Sequence, residues 1–248
     1  MSIIPPGIAQ NLKFYLSGPL PCPYLPAQVE RKLFTRLDDV NLETNAAING
    51  ALCRAGFRRS HDVVYRPACS DCNACIPVRV PVDHFQPSRG QKRISARNRD
   101  LTWESAEPVP TQELFDLFAL YQNTRHGDSD MARMSADDFA AMLQEGRAHT
   151  RLFTLRNNAQ ELQGCMIADD VGDGFSAVYS FFSPAEPRRS LGTALILSLI
   201  EHTRARYRPH LYLGYWVEAS RKMAYKSQFK PYQCLGAHGW VWQERSVP

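Results

Sequence analysis

Phe175-Ser-Ala-Val-Tyr-Ser-Phe-Phe182, a Pro-containing turn, and then Arg189-Ser-Leu-Gly-Thr-Ala194 opening an apolar run to about Tyr207 form the stretch that decides the fold. The first segment follows a Gly172-Asp-Gly174 turn and reads as a strand. The second predicts a long helix from Ser190 to about Tyr207, entered through a loop of the form Arg-x-x-Gly-x-Ala. Free backbone N–H groups and the dipole at such a helix start attract phosphate, and Gly192 is expected to let the anion approach.

Toward the C-terminus the pattern continues as a strand over Leu211 to Val217, a short helix around Lys222 to Phe229, and a final strand near Gly239 to Trp242. Toward the N-terminus, Arg151 to Leu155 and Leu162 to Ala168 read as a strand pair around Asn157-Asn158. Before them, Leu114, Leu117, Phe118 and Tyr121 recur at helical spacing, and Ser135-x-x-Asp138 opens a second helix ending near Gly146. This order is that of an acyltransferase of the N-acetyltransferase (GNAT) type, in the α/β (α+β) class. The anion at its loop is left open, since coenzyme A and a nucleic-acid end both carry phosphate. Pro108 and Pro110 mark a boundary. We therefore expect residues 1–107 to form a cysteine-containing domain packed against a GNAT-like domain of residues 108–248. In the first part, a helix from about Asn41 to Ala55 stops at Gly56, and Val63 to Tyr65 and Val78 to Val80 read as strands. The first thirty residues hold six prolines and read as an ordered arm rather than a regular element.

Of 248 residues 44% are hydrophobic, enough for a sizeable core, and 29 basic against 25 acidic residues exclude both an acidic disordered chain and a histone-like polycation. No apolar run reaches the roughly 18 residues of a membrane span, and the start has no secretory pattern, so a cytoplasmic protein is expected. The net charge conceals a local excess. Residues 87–99 carry Arg89, Lys92, Arg93, Arg97 and Arg99 without an acid, either a solvated face or a phosphate-binding stripe.

Seven cysteines is an odd count, and Cys69-x2-Cys72-x2-Cys75 is too tight for a disulfide framework. Several sulfurs on one short turn suit a metal, with Cys22 from the arm as the candidate fourth ligand; buried reduced thiols are the alternative. Cys53, Cys165 and Cys234 sit in apolar surroundings and read as packing residues. Arg58, Arg59 and Arg79 offer forks for carboxylate or phosphate. His126, after Arg125, is either a proton-transfer group or structural. Gly214-Tyr-Trp-Val217, Ser220 to Lys226 and Phe229-Lys-Pro231 gather aromatics and cations around a strand end, where such folds bind substrates.

Taken together, these motifs resemble the arginyltransferase-type aminoacyl-tRNA:protein transferases, and within them the bacterial aspartate/glutamate leucyltransferases. The resemblance runs from Phe14-Tyr15 and Cys22-Pro-Tyr-Leu25 through Gly56-Phe-Arg-Arg-Ser60, Tyr65-Arg-Pro67 and Cys69-x2-Cys72-x2-Cys75-x-Pro77-x-Arg79-Val80 to Phe85-x-Pro-Ser88-Arg89. It continues through Arg125-His126, Val178-Tyr-Ser-Phe-Phe182, Arg188-Arg-Ser-Leu-Gly192-Thr, Lys222-Met-x-Tyr225-Lys226 and Gly239-Trp240. Two positions depart from it: Ser183-Pro184 stands where relatives carry Asp-Pro, and Leu25 replaces the second cysteine of an arm Cys-x2-Cys found in arginine-donating relatives.

The resemblance implies transfer of an aminoacyl group from tRNA to the α-amino group of proteins beginning with Asp or Glu, marking them for degradation in the N-degron pathway. Leucine is the expected group and arginine the alternative; a coenzyme A-dependent N-acetyltransferase is the competing enzyme class. Ester-to-amide exchange is downhill and needs no cofactor, while zinc or an iron-sulfur cluster at Cys22, Cys69, Cys72 and Cys75 would be structural or regulatory. Expected catalytic residues are His126, Tyr215 and Lys226. Expected substrate contacts are Arg58, Arg59, Tyr65, Arg79, Arg125, Tyr179, Ser180, Lys222 and Tyr225. The tRNA would be held by Arg89, Lys92, Arg93, Arg97, Arg189 and Gly192.

Overall fold

A computed structural model describes residues 12–37, 42–144 and 149–243. The helix stop expected at Gly146, and Pro5 and Pro6 of the arm, lie outside the described residues. The chain begins with short strands β1 (Tyr15–Leu16), β2 (Leu20–Pro21) and β3 (Val29–Glu30), followed by β4 (Lys32–Arg36), helix α1 (Leu42–Arg54), β5 (Arg58–Ser60), β6 (Val63–Pro67) and β7 (Ile76–Pro81). Next come α2 (Arg89–Arg97), β8 (Thr102–Ala106), α3 (Gln112–Arg125), α4 (Ala136–Gln144), β9 (Thr150–Arg156), β10 (Leu162–Asp170) and β11 (Gly174–Phe182). The last elements are α5 (Leu191–Ala205), β12 (His210–Trp216), β13 (Gln233–Gly236) and β14 (Gly239–Trp242).

A four-stranded sheet runs β1-β4-β6-β5, and an eight-stranded sheet runs β14-β13-β7-β12-β11-β10-β9-β8. The large sheet thus takes strands from both sides of residue 107, because β7 enters between β12 and β13. The cysteine loop between β6 and β7 is therefore a bridge between two sheets rather than a hairpin turn. Apolar residues on α5, such as Leu195, Leu199 and Ile200, fill one face of the large sheet, while Phe118 of α3 and Phe139 of α4 pack on Phe181 across the other.

Local chemistry explains where the elements differ from the sequence expectation. The cationic stretch becomes α2 because Ser88 and Gln91 form a reciprocal capping box. The stretch Glu104 to Pro110 reads as a boundary in the sequence, but its first residues belong to edge strand β8, which pairs with β9. The short helix expected at 222–229 is a single 3-10 turn, Ala224–Gln228.

One pairing in the large sheet is parallel. Gly174, Phe175 and Ser176 of β11 face His210, Leu211 and Tyr212 of β12, and the ladder stops there. A Cβ on Gly174 would lie 1.8 Å from the His210 carbonyl oxygen, so only glycine permits this approach. Beyond Ser176 the strands part. Gly214 turns β12 with φ +72, and the Arg58 side chain occupies the space a Cβ would need, 2.6 Å from its position. The Arg58 guanidinium donates to the Val178 carbonyl on β11.

The neighbouring Arg59 points the other way, as alternate strand residues do. Its Nε and Nη2 donate to both oxygens of Asp169 on β10 at 2.6 and 2.8 Å, and Nη2 also reaches Thr150 Oγ1 at 3.1 Å. Asn49 of α1 donates to the same carboxylate at 3.3 Å. The two side chains are 3% and 1% exposed. Burial by itself would push the Asp169 carboxyl up, but the Arg59 charge and these hydrogen bonds outweigh it and hold it below the usual range. Arg59→Ala, which leaves a buried carboxylate unpaired, should cost about 3 to 5 kcal/mol and lower Tm by roughly 6 to 20 °C. The depressed Asp169 adds stability that is complete above its unfolded pKa of about 3.9 and is lost as pH falls through the folded value. Calorimetry from pH 7 to pH 3 on wild type and Arg59→Ala checks both; equal Tm values would remove the pair from its structural role.

Candidate functional site

The parting of β11 and β12 opens a cavity of about 500 Å³, and the residues lining it come from both sheet faces. Arg58, Tyr65, Tyr179, Ser180, Lys222, Tyr225, Lys226 and His126 all line it, so most of the substrate and catalytic residues expected from the sequence do converge. Among the described lining residues there is no Asp or Glu, and of the lining cations Arg59 is paired with Asp169 behind the wall.

That imbalance governs the protonation of the site. Lys226 is 3% exposed, and its Nζ donates to the Tyr215 carbonyl at 2.7 Å. Burial first, and the Arg58 charge second, push this amine well below the ordinary lysine value. His126, the C-terminal cap of α3, is lowered by burial and then by Lys222 and Arg125, which favours neutral imidazole. The Tyr179 hydroxyl accepts from Gln122 Nε2 at 2.7 Å, and burial lifts its pKa to about 12, keeping it a neutral hydrogen-bonding group.

Three expected residues are engaged by other groups of the protein. Arg59 also lines this cavity, but its Nε, Nη1 and Nη2 donate to Asp169, to the His61 carbonyl and to Thr150, so its guanidinium is engaged within the protein. Arg79 donates to Gln233 Oε1 at 2.8 Å and to the Tyr212 hydroxyl at 3.2 Å and lies 4.5 Å from the Trp240 ring centre, because the register sets it opposite Tyr212 on β12 and outside this cavity. Tyr215 is 2% exposed, and its hydroxyl bridges the Gly56 and Tyr65 carbonyls at 2.9 and 3.0 Å. It is a strut whose carbonyl, not its phenol, touches the site through Lys226.

The loop before α5 lies where the sequence places it, but other residues carry its chemistry. Arg189 is held by both oxygens of Asp100 at 2.9 and 2.7 Å and by Glu186 at 3.1 Å, so it anchors the loop and is not free for phosphate. A Cβ at Gly192 would meet Cε1 of Phe182 at 2.8 Å, so this glycine serves ring packing on the first turn of the helix rather than ligand approach. The cleft beside it is lined by Arg125, Ser183, Gly192 and Thr193, and the exposed Arg125 sits 5.5 Å over the Phe182 ring. Arg125 is therefore the cation that faces this helix start.

Helix α2 is tied to both regions. Gln91 Nε2 donates to the Gln228 carbonyl at 3.1 Å, and Asn98 Nδ2 donates to the Arg189 carbonyl at 2.9 Å. Arg89, Lys92 and Arg93 share its exposed face at i, i+3 and i+4, and none of them makes an ion pair among the described residues. Arg97 donates to the Arg188 carbonyl.

A larger cavity of about 840 Å³ adjoins the first, and Tyr24 and Tyr65 line both. Cys22, Cys69, Cys72 and Cys75 all line it as half-buried free thiols. Burial first, then the other three thiols, push Cys75 up to about 11. Four soft donors around one cavity suit zinc or an iron-sulfur cluster chemically. Yet among the described residues no three or more His, Cys, Asp or Glu side chains are drawn into a ligand set. Sequence patterns give no prominence to Met131, Met142, Met166, Ile196, Leu213 and Met223, which also line the first cavity; their only signal is an apolar residue at a strand or helix position.

Comparison with known proteins agrees with these motifs. Residues 20–93 match the family profile "Arginine-tRNA-protein transferase, N terminus", and residues 113–236 match "Arginine-tRNA-protein transferase, C terminus". The "Aspartate/glutamate leucyltransferase" of Parvibaculum lavamentivorans is 46% identical over 228 residues, 92% of this chain and 93% of that one. The protein of the same name from Azorhizobium caulinodans is 45% identical over 238 residues, 92% and 94% of the two chains. Among solved structures, "The structure of L-PGS from Bacillus licheniformis" aligns at TM-score 0.46 and 15% identity over 57% of this chain and 45% of that one. "Crystal structure of FemX" aligns at 0.44 and 9% over 82% and 79%.

The protonation of the site is directly measurable. In NMR with labelled lysine, one ζ-amine, absent in Lys226→Met, should titrate well below the exposed lysines. Arg58→Ala should raise it part of the way back, since one of its two lowering influences is gone. A Lys226 amine that titrates with the surface lysines would mean the cavity is wet and the amine charged.

Proposed function

Because the chain belongs to the arginine-tRNA-protein transferase family, we infer that it moves an aminoacyl group, leucine by the names of its relatives, from the 3′ end of tRNA to the α-amino group of proteins beginning with Asp or Glu. The observation that carries this reading is the cationic cavity at the parting of β11 and β12, with an anion-attracting helix start and an exposed cationic helix beside it. A protein N-terminus with an acidic side chain brings a carboxylate that the cavity's cations attract. Those same cations lower the pKa of the incoming α-amine from its usual 7.7 to 8.0 toward the nucleophilic form.

In the transfer, the amine nitrogen bonds to the ester carbonyl carbon, and the bond from that carbon to the ribose oxygen breaks. The neutral Lys226 amine takes the proton lost by the nitrogen and passes it to the departing ribose oxygen, which leaves as the hydroxyl. Arg58 and Lys222 hold the acidic side chain, His126 orients the amine at the cavity mouth, and Tyr179 with Ser180 and Tyr225 hold the aminoacyl-adenosine. Positioning supplies much of the acceleration. Arg125 and the α5 start receive phosphate near the tRNA end, and Arg89, Lys92 and Arg93 receive the acceptor stem. The product would carry a new N-terminal residue that marks it for degradation.

The fold reads as the N-acetyltransferase type on the strength of its diverging parallel strand pair and the helix α5 between those strands in sequence. No helix among the described residues is long and apolar enough to cross a membrane, and unpaired thiols suit the cytoplasm, where we place the protein. Cys22, Cys69, Cys72 and Cys75 are the residues that would hold a zinc ion or an iron-sulfur cluster, which would brace the wall shared through Tyr24 and Tyr65.

A transfer assay with leucyl-tRNA against peptides beginning with Asp, Glu, Lys and Ala should label only the first two, and ribonuclease should abolish it. Activity with acetyl-coenzyme A that survives ribonuclease would favour the N-acetyltransferase reading instead. Neutralising Arg89, Lys92 and Arg93 together should weaken tRNA binding and reduce the slope of log affinity against log salt by about two to three. An unchanged slope would return α2 to a merely solvated face.

A further inference from the structure

The chain has six methionines, and four of them, Met131, Met142, Met166 and Met223, line the cavity between β11 and β12, together with Ile196 and Leu213. Three of the four are at most 8% exposed. Met131 is half-buried, and its sulfur lies 4.0 Å from Gln122 Nε2, the donor that holds the Tyr179 hydroxyl. This wall therefore belongs to the same chamber as Tyr179, Arg58 and Lys226.

Methionine is unbranched, has three side-chain rotors and carries a polarizable sulfur, so a wall of thioethers reshapes around different apolar groups. A rigid wall of Val or Ile would select a branching pattern; this wall selects against polarity. A γ-branched leucyl and a straight methionyl side chain fill it comparably. An arginyl side chain would bring a guanidinium beside Arg58 and Lys226, with no carboxylate among the described lining residues to receive it.

We propose that this methionine-lined wall chooses the donor by polarity, so that the protein also transfers methionyl groups from tRNA to the same acidic N-termini. The proposal rests on the aminoacyl-transfer reading above. The chemistry is unchanged: the acceptor amine forms the amide with the methionyl carbon, the ester bond to the ribose oxygen breaks, and one proton passes from nitrogen to oxygen by way of the enzyme.

The test uses one tRNA body misacylated in turn with leucine, norleucine, methionine and arginine, with the full-length protein and a peptide beginning with Asp. An apolar site discriminates side chains differing by a methylene by about 10- to 200-fold. Norleucyl and methionyl transfer should therefore stay within about 200-fold of leucyl in kcat/KM, with arginyl transfer below all three. Met131→Glu should then raise the arginyl-to-leucyl ratio by about 10- to 150-fold through a new charged hydrogen bond, and Met131→Gln, polar but uncharged, should raise it by less. Methionyl transfer as poor as arginyl in the wild type, or no change of ratio in folded Met131→Glu, overturns the proposal. The wild-type series decides the matter even if Met131→Glu does not fold. Absence of leucyl transfer to any acidic peptide would instead overturn the underlying transferase reading.

Discussion

The buried pair of Arg59 and Asp169 is what the rest of the structure depends on. It joins the small sheet to β9 and β10 of the large sheet, and Asn49 brings α1 to the same carboxylate. Strand alternation does the rest. Once Arg59 is fixed on one side of β5, Arg58 is directed to the other, into the space where β11 and β12 separate. Both residues line the cavity, yet one is locked in a buried ion pair while its neighbour reaches the Val178 carbonyl, although the two are the same amino acid. The buried pair gains little from being ionic as such, since ion-pair attraction in a protein interior is offset by desolvation. Its contribution is geometric: two donors on a planar fork permit one orientation of the small sheet and not its alternatives.

The cavity combines two demands that usually conflict. An acidic N-terminus calls for positive charge, but positive charge beside a nucleophilic amine is useful only if that amine gives up its own. Burial resolves this by disfavouring the charged form of the Lys226 amine, and the Arg58 guanidinium beside it adds to that effect. One guanidinium and one amine whose charged form burial disfavours thus share the chamber. The apolar wall keeps the dielectric low enough for both effects.

How much of this is legible in the sequence depends on whether the cause is local. The long helix α5, the strands on either side of its loop, and the helices at 112–125 and 136–144 follow from periodicity and capping within a few residues. The insertion of β7 between β12 and β13 has no local signal, because the partners are more than a hundred residues away. The Arg-x-x-Gly-x-Ala loop is found at its expected place for a different reason: Gly192 accommodates Phe182, and Arg189 is engaged by Asp100. Composition identifies arginine forks but not their partners, so Arg58, Arg59 and Arg79 look alike on paper and diverge once Asp169, Val178 and Gln233 are in position. The methionines are the opposite case. Each is an unremarkable apolar residue in sequence, and only the folded chain shows four of them facing one space.

The parallel pair of β11 and β12 behaves as a V whose vertex is Gly174. At that end the backbones touch so closely that no side chain fits, and six residues farther along, roughly 20 Å at strand rise, the arms have opened around the chamber. A V of this kind works as a lever. A fraction of an ångström at the vertex becomes a larger displacement at the open end, so the width of the chamber is set by packing at residues that never meet a substrate. Changes around Gly174 and His210, at the opposite end of the strand pair from the chamber, are thus a route by which homologous chains can widen or narrow the same chamber while leaving every residue that lines it untouched.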